Sequence, residues 1–173
     1  MGQSDQAPSE FEDSYEDERH VRGAIFTEEL GSVPRRETVI VEAQTSVAEA
    51  IRGMNDHHVG CTLVVRDGKL IGIFTERDVL RKVATSGMNL EKTAVETVMT
   101  ANPDTLPATA SIAYALREMS VEGYRHIPLT NPDGSPAGVV SVRDIVAWLV
   151  ETFPASVHNL PPSPVVSTAL DGG

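Results

Sequence analysis

Two copies of one short motif carry the side chains of this chain that are best suited to bind a charged small molecule. Residues 72–78 read GIFTERD, and residues 138–144 read GVVSVRD, 66 positions later. Each copy holds a hydroxyl, an arginine and an aspartate where a strand is predicted to run into a helix. There the hydroxyl and the free N–H groups of the helix end can bind phosphate, the arginine adds positive charge, and the carboxylate can accept from ribose hydroxyls. The motif pair therefore suits a phosphorylated nucleoside.

The same residues also fit a purely structural role. Each hydroxyl and its aspartate match a helix N-cap with an acid three positions on, which stabilises a helix by about 1 kcal/mol without any ligand. The arginine of each motif is not needed for capping, and the glycine that opens each motif leaves the strand open to close approach by another group. These two features favour a binding site. The candidate binding residues of the motifs are Thr75, Arg77, Asp78, Ser141, Arg143 and Asp144.

The elements around the two motifs also repeat. The first copy is predicted to begin with a strand at 38–41 and a helix that is capped by Ser46 and has apolar residues at 47, 50, 51 and 54. Strands at 61–65 and 70–74 follow, joined by a turn at 67–68, and a helix from 79 to about 87 closes the copy. The second copy is predicted to contain a strand at 105–106, a helix with apolar residues at 112, 115, 116 and 119, strands at 126–129 and 137–140, and a helix around 145–149.

The pattern predicts an α/β (α+β) fold of two β-α-β-β-α repeats. Each repeat is near 60 residues and would be marginal alone, so the two should pack on each other about a pseudo-twofold axis. Residues 1–20 are acidic and lack periodicity, which predicts a disordered tail, and the proline-rich residues 154–173 predict an extended tail. The first repeat with its lead-in is then residues 21–90, and the second is residues 91–153.

Charge and hydropathy restrict the classes of partner that the chain can bind. The formal net charge of −11 argues against nonspecific binding to nucleic acid or to anionic membranes. No apolar run approaches the roughly 20 residues that span a bilayer, and no secretory signal opens the chain. Cys61 is the single cysteine, which excludes an internal disulfide and fits a reducing compartment, so we expect a cytoplasmic protein.

With both motifs and their elements placed, residues 24–152 resemble a pair of cystathionine-β-synthase (CBS) domains, the Bateman module. The resemblance implies a disc-like module with two clefts that bind AMP, ADP, ATP or S-adenosylmethionine as a regulatory ligand. It implies that the hydroxyls Thr75 and Ser141 meet phosphate and that Asp78 and Asp144 meet ribose. It also implies a homodimer, with helices around 79–86 and 144–151 at the interface.

The two repeats depart from each other at their predicted clefts. Residues 124–128 read YRHIP, similar to the family's basic pair before a proline-containing strand, which adds Arg125 and His126 as candidates. Thr105, in the strand that opens this repeat, completes the candidate set. The first repeat has the uncharged residues 60–63 in place of the basic pair, and VPRR at 33–36 where the second has VMT at 98–100. We therefore expect unequal clefts, and the sequence leaves open which one is occupied.

Other reactive side chains have simpler readings. His57 and His58 lack the further ligands of a metal site and fit a solvated helix end, while Cys61 fits a small core residue better than a nucleophile. His126 is equally compatible with a position in a cleft and with a position in the core. Arg35 and Arg36 are predicted to be a solvated pair. Nucleophile-elbow, Walker and metalloprotease motifs are missing.

The predicted function is a regulatory ligand-binding module without catalysis of its own, which acts on an unidentified partner protein. The alternative is a protein-interaction or dimerisation module with vestigial nucleotide sites. An enzyme is a third hypothesis, although the sequence shows no activated catalytic pair.

Overall fold

A computed structural model describes the backbone of residues 10–154 and the side chains of residues 19–154. Residues 1–9 and 155–173, which include most of the expected C-terminal tail, lie outside the described residues. The helices are α1 (Glu10–Thr27), α2 (Val47–Asp56), α3 (Glu76–Asp78), α4 (Ile112–Glu122) and α5 (Val142–Thr152). The strands are β1 (Ile40–Glu42), β2 (Cys61–Arg66), β3 (Lys69–Thr75), β4 (Thr100–Ala101), β5 (His126–Thr130) and β6 (Pro136–Ser141). A π-helical turn, Val79–Val83, continues α3, and 3-10 turns lie at Leu30–Ser32 and Val95–Thr97.

The strands form a four-stranded sheet, β1-β2-β3-β4, and a two-stranded sheet, β5-β6. β1 runs parallel to β2, and the other paired strands are antiparallel. The fold class, a mixed α/β (α+β) fold of two repeats, is confirmed, and so is the two-residue turn at Asp67 and Gly68, whose φ angles are 51° and 73°. The first strand begins at Ile40, two residues later than predicted.

The strand predicted at 105–106 is reduced to a single bridge. Leu106 pairs in parallel with Leu129 through two backbone hydrogen bonds, to Pro128 O and from Thr130 N. The next residue that could bond to this strand is Ala108, and its carbonyl oxygen accepts instead from the N–H of Gly31 at 2.8 Å, so the pairing stops after one residue.

The predicted apolar stripes of α2 and α4 face two separate cores. Val47, Ala50 and Met54 are at most 4% exposed in the core of the first repeat. Ile112, Ala115 and Met119 lie at matching positions in the core of the second. Ser46 caps α2, because its hydroxyl accepts from the backbone N–H of Glu49 at 3.2 Å.

The two repeats exchange their lead-in segments. Leu30 and Val33 precede the first repeat but lie in the core of the second, with Ala24 and Ile25 packed against it. In return, Val95 and Val98 precede the second repeat but lie in the core of the first. β4 then pairs with β3 of the first repeat. Each core is therefore completed by a segment that the sequence assigns to the other repeat.

Helix α1 differs from the disordered tail expected for residues 1–20. It begins at Glu10 and crosses the expected boundary at residue 20. Its C-terminal end is held on the second repeat, since Ala24 and Ile25 pack on that core and Glu28 O accepts from the N–H of Ile112 at 3.0 Å. The available signal was short: Val21, Ala24 and Ile25 have the i, i+3, i+4 spacing of a helix directly after the acidic stretch. None of the helices described here is both long and apolar enough to cross a membrane.

Candidate ligand-binding clefts

Both motifs lie at strand-to-helix junctions and both form capping boxes. Thr75 ends β3, and its hydroxyl accepts from the backbone N–H of Asp78 at 3.2 Å, while Asp78 Oδ2 accepts from the N–H of Thr75 at 3.0 Å. Ser141 ends β6 and makes the same pair of bonds with Asp144, at 3.2 and 2.8 Å. The hydroxyl of each residue also donates to the acid, at 2.7 and 2.6 Å. The structural role considered for these residues is therefore real in both copies.

Each junction also borders a cavity large enough for a small molecule. Cleft 1, of about 750 Å³, is lined by Thr75, Arg77 and Asp78 of the first motif. Cleft 2, of about 580 Å³, is lined by Ser141, Arg143 and Asp144 of the second. These volumes fall within the range of about 300–1,000 Å³ typical of small-molecule sites.

Cleft 2 is built from both repeats. Arg36, Thr38 and His58 come from the first repeat and face the second motif across the cavity. Arg36 Nη1 donates to His58 O at 2.5 Å, and Arg35 Nη1 donates to Leu30 O at 2.8 Å. The arginine pair expected to be solvated thus makes protein contacts, and Arg36 lies on a cleft wall that no motif in the sequence indicates.

Of the other candidates, Arg125 and His126 line both clefts and Thr105 lines neither. Thr105 is exposed and accepts a hydrogen bond from the Thr130 hydroxyl at 3.3 Å. Each of these residues is next in sequence to a member of the bridged pair Leu106 and Leu129. Cleft 1 also contains cations that the sequence analysis did not single out, Arg81 and Lys82. Both lie within one helical turn after Asp78. This spacing places them near the motif acid and could have identified them from the sequence.

The motif glycines have structural reasons of their own. A Cβ on Gly72 would lie 2.2 Å from Met99 Sδ, so the space beside this strand is filled by the segment that enters the second repeat. The expected approach of a ligand over Gly72 is therefore wrong. Gly138 has φ +137°, a conformation that L side chains rarely adopt, which accounts for that glycine by itself.

The two aspartates differ in the partners of their second oxygen. Asp78 Oδ1 accepts from the Thr100 hydroxyl at 3.2 Å and forms an ion pair with Lys82 Nζ at 2.7 Å, and the residue is 7% exposed. Asp144 is partly exposed, and within residues 19–154 no side chain or backbone N–H donates to its Oδ1. The two clefts therefore differ: among the described side chains, the acid of the second motif keeps an oxygen without a donor, and the acid of the first motif does not.

Two stretches of the chain, residues 30–85 and 95–151, match the family model of the CBS domain. The chain belongs to the CBS-domain family. A CBS domain-containing protein of Arabidopsis thaliana, CBSCBSPB1, is 29% identical over 134 residues, which is 76% of this chain and 25% of that protein. This chain thus spans about a quarter of the length of that relative.

Solved CBS structures share the fold. A CBS domain protein from Pyrobaculum aerophilum, complexed with AMP, has a TM-score of 0.62 and 22% identity and covers 72% of this chain and 99% of its own. The CBS domain pair of protein MJ0100, in complex with 5′-methylthioadenosine and S-adenosyl-L-methionine, has a TM-score of 0.62 and 21% identity, over 70% of this chain and 98% of its own.

The two CBS clefts share one wall, formed by Gly60, Glu76, Arg125 and His126. The wall is tightly packed, because a Cβ on Gly60 would lie 3.1 Å from His126 Cε1 and 3.4 Å from Glu76 Oε2. Burial lowers the pKa of His126, against the opposing effects of Asp144 and Glu76. His126 is therefore a cleft residue that presents a neutral imidazole near pH 7, with one nitrogen as donor and one as acceptor.

The remaining reactive side chains of this CBS pair are held in structural roles. Burial, with smaller effects of Asp144 and Glu76, raises the pKa of the Cys61 thiol to about 12, so the thiolate that a nucleophile requires is not formed at neutral pH. His57 Nδ1 lies 2.9 Å from Gly53 O. Within the part of the chain that the structure describes, no three His, Cys, Asp or Glu side chains cluster as a metal site.

Proposed function

We propose that this CBS-domain pair is a regulatory module that senses an adenosyl ligand, AMP, ADP, ATP or S-adenosylmethionine, in cleft 2, and that it catalyses no reaction itself. One observation carries the proposal: Asp144 lines a cavity of about 580 Å³ together with Ser141 and Arg143, and no donor within residues 19–154 reaches its Oδ1. A carboxylate in this position can accept from ribose hydroxyls. The complexes of other CBS proteins with AMP and with S-adenosylmethionine support this class of ligand.

The lining of cleft 2 suits the other parts of such a ligand. Arg36, Arg125 and Arg143 supply three guanidinium groups for phosphate or carboxylate, in a chain whose formal net charge is −11. Ser141 lines the same cavity and can donate to a phosphate oxygen when its hydroxyl turns away from Asp144. The apolar wall that can flank a purine consists of Val39, Val59, Val139, Val142 and Val146.

Binding in cleft 2 would bridge the two repeats. Arg36 and Thr38 belong to the first repeat, while Ser141 and Asp144 belong to the second. A ligand that contacts both sides favours one packing of the repeats, to the extent that its affinity differs between packings. A regulated partner protein, or a second copy of this chain, would respond to that change in packing.

A thermal-melt screen with AMP, ADP, ATP and S-adenosylmethionine tests the proposal. At 100 times its dissociation constant, a ligand adds about 2.7 kcal/mol to stability, which raises Tm by roughly 5–10 °C for a chain of this size. Asp144→Asn should remove the shift, measured against the variant's own Tm because its helix cap also changes. Glu151→Gln, an exposed acid on the same helix, is the matched control and should keep the shift. The proposal fails if none of the four compounds shifts the wild-type Tm, or if Asp144→Asn responds as the wild type does.

The second candidate function, an interaction module with vestigial sites, is favoured by a different observation. Helix α5 exposes Val142, Val146 and Val150 at a spacing of four residues, and Leu80, in the helical turn after the first motif, is 72% exposed. Such a stripe suits a homodimer through the helices that follow the two motifs. A chain that dimerises through this stripe and shows no thermal shift with any adenosyl compound would establish this function instead.

A further inference from the structure

Both carboxylate oxygens of the first motif acid contact the protein. Asp78 Oδ2 accepts from the N–H of Thr75 at 3.0 Å and from its hydroxyl at 2.7 Å. Asp78 Oδ1 accepts from the Thr100 hydroxyl at 3.2 Å and forms an ion pair with Lys82 Nζ at 2.7 Å. An ionised carboxylate offers about four acceptor positions. Three hold hydrogen bonds here, and a ribose hydroxyl that approached the fourth would have to compete with the ammonium beside Oδ1.

The cation in this cluster is also held by the protein. Lys82 Nζ donates to the carbonyl oxygens of Val98 and Met99, each at 2.9 Å, and forms an ion pair with Asp78 Oδ1 at 2.7 Å. Two of the three N–H donors of the ammonium group thus have carbonyl acceptors, and its charge lies beside the carboxylate. Both carbonyls belong to the segment that leads into β4, so Lys82 connects the helix of the first motif to the start of the second repeat. Its side chain is 41% exposed, whereas that of Asp78 is 9% exposed.

The second repeat lacks this cation. Trp148 stands 66 positions after Lys82, the spacing that relates the two motifs. It is 7% exposed in the core, and its ring meets that of Phe153 edge to face, with centroids 5.9 Å apart. Asp144 therefore has no lysine one helical turn away, and its Oδ1 stays available on cleft 2.

We propose that Asp78, Lys82 and Thr100 form an internal lock that closes the motif acid of cleft 1 to ribose, so that each chain binds one adenosyl ligand and not two. Lys82 is the residue that decides this stoichiometry. A ribose entering cleft 1 would have to displace the ammonium, which would leave the carbonyls of Val98 and Met99 without their donor. The stoichiometry rests on the proposed function of cleft 2, whereas the lock itself does not.

The stoichiometry is measured by equilibrium dialysis with AMP and, separately, with S-adenosylmethionine. We expect one bound ligand per chain for the wild type, one for Asp78→Asn and none for Asp144→Asn. Two ligands per chain in the wild type, with one lost in Asp78→Asn, would overturn the lock. If neither compound binds the wild type, the proposed function fails for these two ligands, and the lock is then decided by stability.

The stability measurement is a double-mutant cycle of Tm values that needs no ligand. Asp78→Asn and Lys82→Met each remove one side of the ion pair, so the double variant should melt at about the temperature of the less stable single variant. Lys82→Met combined with Asp144→Asn should show additive losses, because these residues share no partner. Lys92→Met, an exposed lysine without a side-chain bond among the described residues, should leave Tm unchanged. Additive losses in the cycle of Asp78 with Lys82 would contradict the lock.

Discussion

Single residues decide what each copy of the motif can bind. Asp78 and Asp144 cap their helices in the same way and differ in the donors around the second oxygen. A cap therefore does not exclude a binding role, since it uses one carboxylate oxygen and leaves the other to the surroundings. The two motif glycines likewise occupy equivalent positions but are required for different reasons. Gly72 packs against Met99, whereas Gly138 adopts a backbone conformation that other residues rarely adopt.

Gly72→Ala should lower the free energy of unfolding by about 1–3 kcal/mol, because the new methyl group would overlap Met99 Sδ. Urea denaturation measures the loss, and Met99→Ala in the same chain should recover part of it. Gly23→Ala is the control: no atom lies within 4 Å of a Cβ there, and a helical alanine should be neutral or stabilise by up to about 1 kcal/mol. Equal effects at the two glycines would contradict the packing argument.

The stability of the fold should fall as the pH drops through the region where an unfolded histidine takes up its proton. Burial lowers the pKa of His126 in the folded state below its ordinary value of 6.5, so the unfolded chain binds this proton more readily. The stabilisation is therefore complete above the unfolded pKa and is lost as the pH falls towards the folded pKa. Urea midpoints between pH 8 and pH 5 should show a flatter dependence for His126→Gln than for the wild type. His57→Gln, at an exposed helix end, is the matched control variant.

At the scale of the elements, the lead-in segment of each repeat packs in the core of the other repeat. Leu30 and Val33 complete the second core, and Val95 and Val98 complete the first. This exchange builds cleft 2, because it brings Arg36 and Thr38 of the lead-in against the second motif. It also explains why each half, near 60 residues, does not contain a complete core of its own.

Leu30→Ala should destabilise the chain by about 2–5 kcal/mol, since the side chain is fully buried in the second core. Its distinctive effect is local: the amide of Ile112, bonded to Glu28 O, should exchange with solvent faster. Ile40→Ala, at a residue that is 46% exposed on β1, should cost less than about 1 kcal/mol and leave that amide unchanged. Faster exchange confined to the first repeat would contradict the exchanged packing.

At the scale of the whole molecule, three of the large apolar residues that remain exposed share one helix, α5. Val142, Val146 and Val150 are 36–50% exposed along one side of α5. Val142 and Val146 also line cleft 2, so a second copy on this face would lie beside the proposed ligand. Dimerisation and ligand binding would then be coupled through shared residues.

Val150→Asp tests the homodimer without altering the lining of cleft 2. A charge within an apolar interface should convert the predicted dimer into a monomer, with a halved mass by light scattering at micromolar concentration. Val121→Asp, at a 66% exposed position on α4, should keep the wild-type mass. A wild-type chain that is monomeric across the concentration range would contradict the homodimer.

The sequence by itself determined the repeat, the order of its elements, both capping motifs and the family, because these features depend on residue types at short spacing within one segment. The helical stripes at 47–54 and 112–119 were readable for the same reason. Only the tertiary structure decided which carboxylate oxygen stays available, that Met99 fills the space over Gly72, and that Arg36 reaches cleft 2. The pairing of Asp78 with Lys82 is local, four residues apart. The contacts of Thr100 with Asp78, of Met99 with Gly72 and of Arg36 with the second motif join residues of different repeats, and no local pattern along the chain records such distant contacts.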